Sequence, residues 1–284
     1  MSHRPIASVA RTREILNTYG LRAKKNYGQN FLIDVSVVAR AAEASHCEGA
    51  VIEIGPGIGS LTEQLALRSK HVRSYEVDER LLPVLQEELL SEYDNIEIIL
   101  QDFLECDLNG SVEELVSQYG TVSVCANLPY YVTTPILFKL FEGPEVVEYI
   151  TVMVQKEVGD RFSAKPGTTD YGALSVESQY LYEVKRLFTV PRTAFSPAPN
   201  VDSAIIQFHR RPDMRADAQF FELVRASFQQ RRKTLYNNLK DYLGSGERAA
   251  KVLEEAGLEP GVRAQELDIP AFAKLYETVK EHRQ

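Results

Sequence analysis

The 284-residue chain is long enough for one large domain, or a large one plus a small one. Its 44% hydrophobic and 25% charged residues suit a soluble globular protein; no apolar run nears membrane-spanning length, and the start lacks the apolar core of a signal peptide. A net charge of −8 argues at first sight against a polyanionic partner, and Cys47, Cys106 and Cys125, odd in number and widely spaced, argue against a disulfide framework or zinc cage. The expectation is a cytoplasmic protein without a metal site.

The N-terminal 25 residues hold six Lys/Arg and one Glu, including Lys24 and Lys25. From about residue 50 to 155, short apolar runs alternate with helical patterns. Strands are expected over Ala50–Ile54, His71–Val77, Asn95–Leu100, Thr121–Ala126 and Glu148–Val154. Leu61–Arg68 and Leu81–Leu90 carry apolar residues at three- and four-residue spacing, and Thr134-Pro135 reads as the cap and first residue of a helix through Phe141. That alternation means a parallel sheet covered on both faces. Glu183–Val190 and Asp202–His209 are close enough in sequence to add an antiparallel pair at one edge. After Arg210-Arg-Pro-Asp213 the pattern turns helical, over Gln219–Tyr242, Glu247–Ala256 and Ile269–Lys280. The expected organisation is α/β, with a larger domain over 1–212, whose first 34 residues form a basic segment, and a helical domain over 213–284. Residues 221–240 carry five Lys/Arg and one Glu, so the two basic stretches hold +5 and +4 and the remaining chain −17. Screening confines each charge to roughly 10 Å at 0.1 M salt, so an acidic body with basic patches still binds a polyanion locally.

The stretch VIEIGPGIGSLTEQL follows the first strand and opens a helix. Gly55, Gly57 and Gly59 permit a tight turn and close approach of a ligand, although Ser60 occupies the place of the third glycine of the dinucleotide fingerprint. Glu76 ends the next strand, where a carboxylate accepts ribose hydroxyls, and Asp102 ends the third, within reach of an adenine amine. Loop and acids together indicate an adenosine-containing cofactor, either nicotinamide dinucleotide or S-adenosylmethionine.

NLPYYVTTPI, residues 127 to 136, separates these two. An adenine amine is a poor nucleophile because its lone pair is delocalised into the ring. Two acceptors aimed at its N–H bonds draw it towards a tetrahedral amine. The Asn127 side-chain carbonyl supplies one acceptor and the Leu128 backbone carbonyl the other. Pro129 has no N–H to compete and fixes the turn, and Tyr130 offers its ring as a floor for the base. No base is needed within the motif, since the methylated nitrogen is acidic and loses its proton to water. Such catalysis is orientation and electrostatics, and hydride transfer has no use for these groups.

KKNYGQNFLID (24–34), EIGPGIGSLTE (53–63), NLPYYVTTPI (127–136), VQKEVGDRF (154–162), FSPAPNVDSAI (195–205) and FQQRRKTLYNNL (228–239) occur in this order. Through these segments, spanning nearly the whole chain, the sequence resembles the rRNA adenine N6,N6-dimethyltransferases. The resemblance implies an S-adenosylmethionine-dependent, Rossmann-like methyltransferase sheet. It further implies dimethylation of two adjacent adenosines near the 3′ end of 16S rRNA in the small ribosomal subunit or its precursor, with a role in ribosome biogenesis. By the same resemblance Asn30 and Leu32 contact the cofactor, Gly55 and Gly57 line its methionine portion, Glu76 its ribose and Asp102 its adenine. Asn127 bounds both cofactor and substrate, and Phe195 stacks on the target base opposite Tyr130. Arg225, Arg232 and Lys233 on a basic helix, with Lys24 and Lys25, are expected at the RNA, and Arg231 in an internal ion pair. A monomer is expected. Two rival readings are a resistance-type methyltransferase of large-subunit rRNA and a ribosome-assembly factor that keeps the fold only for binding.

Overall fold

The computed structural model describes residues 4–21 and 30–282. Helix α1 (Val9–Thr18) is capped by Ser8, whose hydroxyl accepts from the Arg11 amide. The elements that follow are β1 (Phe31–Leu32), α2 (Val35–Glu43), β2 (Ala50–Ile54), α3 (Ser60–Ala66) and β3 (His71–Glu76). Next come α4 (Leu82–Leu85), β4 (Ile96–Leu100), α5 (Leu108–Tyr119), β5 (Val122–Asn127), α6 (Thr133–Phe141), β6 (Tyr149–Gln155) and α7 (Lys156–Phe162). Then follow α8 (Ala173–Leu181), β7 (Tyr182–Val190), β8 (Phe195–Ser196) and β9 (Ser203–Arg210). The chain ends in α9 (Ala218–Ser227), α10 (Leu235–Leu243), α11 (Gly246–Ala256) and α12 (Ile269–Glu281).

The large sheet has the order β4-β3-β2-β5-β6-β9-β7. Pairings from β4 to β6 are parallel, and β9 runs antiparallel to β6. All five residues of β2 are buried, as expected of a central strand covered on both faces. The chain leaves β2 outward through β3 and β4, then returns to place β5 on the other side of β2. That reversal opens a crevice beyond the carboxyl ends of β2 and β5, where ligands of open α/β sheets gather. One core cluster joins the sheet to the helices, with Val38 and Ala41 of α2, Leu61 and Leu65 of α3 and Val84 and Leu85 of α4 packed around Val51 and Val72. A second, two-stranded sheet pairs β1 with β8, setting Leu32 opposite Phe195.

Each expected strand is present to within a residue or so, because each is a short apolar run with turn residues at its ends. Three expected helices differ. Residues 79–90 form a 3-10 turn, the single turn α4 and a π turn rather than one regular helix. Helix α6 begins at Thr133, so Thr134 is already inside it and Pro135 is its third residue, where a missing N–H still costs no intrahelical bond. The helix expected over 219–242 is interrupted between α9 and α10. There the buried Asn238 side chain donates to the Ser227 carbonyl at 2.7 Å and accepts from the Gln230 amide at 3.2 Å, and Thr234 caps α10. These side-chain bonds replace the helical ladder across 228–233.

The chain divides into two compact units, Met1–Gly159 with Lys185–Arg210, and Asp160–Val184 with Arg211–Gln284. The expected division at 212/213 did not place 160–184 with the C-terminal helices. They belong there because α8 packs on α9: Tyr180 stacks on Phe220 with ring centres 4.1 Å apart, and buried Glu177 pairs with Arg225. Tyr171 also donates its hydroxyl to the Leu267 carbonyl at 2.8 Å.

Candidate active site

A cavity of about 270 Å³ lies in the first unit at the carboxyl edge of the sheet. Its wall brings together Asn30 and Leu32, Gly55 and Gly57, Glu76, Asp102, the run Asn127–Tyr130, and Phe195. Every cofactor and catalytic residue expected from the sequence thus lines one space, although these residues span 166 positions of chain from Asn30 to Phe195.

The glycine loop is built by backbone sterics. Gly55 and Gly57 hold φ of +72° and +61°, values that residues with a Cβ rarely adopt. A Cβ on Gly57 would lie 3.7 Å from the Phe31 ring, and one on Gly55 would lie 3.9 Å from Pro129, so side chains there would fill the cradle itself.

Glu76 is buried at the end of β3, and its Oε1 accepts from the Val77 and Asp78 amides, each at 2.8 Å. Burial raises its pKa; amides of Asp78, Val77 and Gly57 oppose that rise, and the Asp78 charge adds to it. These bonds fix a carboxylate in the wall and leave it further acceptor capacity. Asp102 is exposed, and its Oδ1 accepts from the Leu104 amide at 2.9 Å, which starts the turn Phe103–Glu105. That turn is tied to α6 by Lys139, whose ammonium donates to the Leu104 and Cys106 carbonyls at 2.8 and 2.7 Å.

The substrate-side wall is a closed turn. The Leu128 amide donates to Met153 at 3.1 Å, and the Val132 amide to the Pro129 carbonyl at 3.2 Å. Tyr130 is half-buried and its hydroxyl shares a 2.8 Å hydrogen bond with Ser203 at the start of β9. Phe195 is only 3% exposed and belongs to the core cluster, yet it still lines the cavity. Packing and a place at the site are therefore combined in one residue. Leu32 is buried as well, and its carbonyl accepts from the Ser60 hydroxyl at 3.1 Å.

Glu53, which the sequence reading passed over, also lines the cavity. It is 1% exposed in the middle of β2 and accepts from the Ser74 hydroxyl at 2.6 Å. Burial pushes its carboxyl up to about 7, against the Ser74 bond and with help from the Glu76 charge. The available signal was a lone acid within an apolar parallel strand just before a glycine turn.

The basic residues are less concentrated than expected. Lys24 and Lys25 lie outside the described residues. Arg11 of the N-terminal stretch is engaged by Glu14 and Glu88. Arg225 makes a two-pronged pair with Glu177, at 2.9 and 3.1 Å, so its guanidinium is spent inside the unit. Arg231, expected in an internal ion pair, is exposed and donates instead to the Thr169 carbonyl at 2.7 Å. Arg232 and Lys233 are exposed, on the turn between α9 and α10 rather than on a helix face. Among the described residues no cluster of His, Cys, Asp or Glu could hold a metal ion, and no helix is long and apolar enough to cross a membrane.

The strand order, the glycine cradle and an acid at the end of each of the next two strands define a Rossmann-like enzyme that binds an adenosine-containing cofactor, and the Asn127–Tyr130 wall of the same cavity favours S-adenosylmethionine. The model of the ribosomal RNA adenine dimethylase family matches residues 20–281, and the chain belongs to that family. It is 49% identical over 288 residues to ribosomal RNA small subunit methyltransferase A of Bacillus cytotoxicus, covering 98% of each chain. It is also 49% identical over 280 residues to the protein of that name in Bacillus mycoides, covering 95% and 96%. Among solved structures, the 23S rRNA methyltransferase ErmE is 30% identical, with a TM-score of 0.66 over 88% of this chain and 100% of that one. A dimethyladenosine transferase from Plasmodium falciparum shares the fold, with a TM-score of 0.74, 24% identity, and coverage of 88% and 98%. The chain is accordingly an enzyme that dimethylates adenine in ribosomal RNA with S-adenosylmethionine.

Proposed function

We propose that the chain dimethylates the N6 amines of two adjacent adenosines near the 3′ end of 16S rRNA, in the small ribosomal subunit or its precursor. The observation that carries this reading is the convergence of Asn127–Tyr130 with Glu76 and Asp102 on a single cavity. The small-subunit assignment rests on the names of the curated relatives, which match this chain over nearly its whole length.

In this reading Glu76 receives the ribose hydroxyls of S-adenosylmethionine and Asp102 the adenine amine. Gly55 and Gly57 carry the methionine portion, and Asn30 and Leu32 close the N-terminal side. The bound cofactor supplies an electrophilic methyl group. The chain's own work is to present the nucleophile. The Asn127 side-chain carbonyl and the Leu128 carbonyl accept the two N–H bonds of the target amine, which biases it towards a tetrahedral geometry and frees its lone pair. Tyr130 is held at its hydroxyl by Ser203, so its ring is fixed before the base arrives, and Phe195 supplies the opposing face. The buried Glu76, Leu128 and Phe195 keep water from part of the wall, which strengthens polar contacts there. Arg232 and Lys233 contact RNA phosphate. The protein acts as a monomer in the cytoplasm.

The test is to incubate the protein with methyl-labelled cofactor and each purified ribosomal subunit, then map the labelled adenines. Label on two neighbouring adenosines of the small subunit is the expected result. Label confined to the large subunit would instead support the resistance-type activity, and binding without transfer an assembly role.

A further inference from the structure

The turn Pro129–Val132 carries two adjacent tyrosines with opposite fates. Tyr130 is turned inward and anchored to Ser203, whereas Tyr131 is 57% exposed and nevertheless lines the same cavity. The turn itself is closed by the Val132–Pro129 hydrogen bond, and the Thr133 hydroxyl donates to that same Pro129 carbonyl at 3.1 Å. Tyr131 is thus a large aromatic at the rim of the site, on a backbone that has little freedom to fold it away. An aromatic side chain typically buries 150–250 Å² of surface, most of which is forgone here.

The chemistry of the substrate gives the exposed part of that ring a further partner. An adenine inside an RNA stack cannot present its amine to the Asn127 carbonyl, so the base must leave the stack. Its neighbour then loses a stacking partner at the mouth of the cavity. Aromatic side chains replace such stacking without reading sequence, for every base has a π face.

We propose that Tyr131 stacks on the nucleobase next to the extruded adenosine, so that the adjacent tyrosines hold two successive bases, one inside and one at the rim. This rests on the proposed adenine-N6 chemistry at Asn127. Under that reading of two adjacent targets, which takes four methyl transfers, the base on Tyr131 is itself the other target while one of the two adenosines is being modified. The enzyme then keeps hold of the pair while exchanging which base enters. Tyr131 is an RNA-positioning residue in this account, with no contact to the methyl group.

Single-turnover methylation of small subunits by wild type, Tyr131→Ala, Tyr131→Leu and Tyr131→Phe, with S-adenosylmethionine affinity measured alongside, tests the proposal. Stacking of one base predicts that Tyr131→Ala and Tyr131→Leu raise the half-saturating subunit concentration by roughly 5- to 100-fold. Tyr131→Phe should restore it, and cofactor affinity should be the same in all four. Wild-type half-saturation in the Ala variant overturns the inference while leaving the Asn127 chemistry intact. A Phe variant as impaired as Ala overturns it too, because the hydroxyl rather than the ring face would then matter. Absence of transfer by wild type removes the underlying reading and this inference with it.

Discussion

Replacing Glu53 by glutamine should stabilise the protein in a strongly pH-dependent way. The carboxyl is fully buried and titrates near 7 in the folded chain, against 4.5 when solvated. Between these values the unfolded state has lost the proton that the folded state still holds. Stability contributed by this group is therefore complete below pH 4.5, declines as pH rises, and is gone above about 7. The displacement corresponds to about 3 kcal/mol at 1.36 kcal/mol per pH unit. Glutamine keeps an oxygen that accepts from Ser74 and never ionises. Urea unfolding at pH 5, 6, 7 and 8 should show a variant advantage that grows with pH and levels off about 3 kcal/mol above its acidic value. A stability difference constant across that range would mean that Glu53 is already ionised in the folded state, and the assignment of a neutral carboxyl in β2 would be wrong.

Removal of the Glu76 carboxylate in Glu76→Ala should weaken S-adenosylmethionine binding by about 1.5–3 kcal/mol, the scale of hydrogen bonds to a charged group. Calorimetry detects this, and unchanged affinity would place the ribose elsewhere. Replacing Arg232 and Lys233 together should flatten the slope of log affinity for subunits against log salt by roughly 1.4 to 1.8, two phosphate contacts' worth. An unaltered slope would make this turn a solvated surface. Arg225→Ala should behave differently, lowering the unfolding free energy by about 1.5–3 kcal/mol because the buried Glu177 carboxylate loses its two hydrogen bonds from the half-exposed guanidinium, with little change in salt slope. Loss of RNA affinity at full stability in that variant would return Arg225 to the interface.

The sheet was legible because its strands are short, mostly apolar stretches bounded by turn residues, and the cavity because its residues gather at strand ends, where a parallel sheet collects ligands. Residues from Gly55 to Asn127 needed only strand order to meet. Asn30 and Phe195 needed more: they are joined by the two-residue strands β1 and β8, too short to leave a periodic signal. Their placement came from family resemblance alone. The second unit was least legible. Local pattern gives one helix through 228–233, but Asn238, ten residues downstream of Phe228, breaks it by bonding the Ser227 and Gln230 backbone. Arg225 looked like an RNA contact because its partner, Glu177, lies 48 positions earlier on a helix the apolar pattern did not disclose.

The central claim is that the Asn127 carbonyl, with that of Leu128, orients the target amine. It is tested most directly by single-turnover methyl transfer to small subunits at saturating cofactor, comparing wild type with Asn127→Ala. Saturation removes any loss of cofactor affinity from the comparison. The account predicts a rate lower by about 10²-fold or more, the usual loss when one oriented polar group is removed from a reacting centre. A rate within twofold of wild type would contradict it.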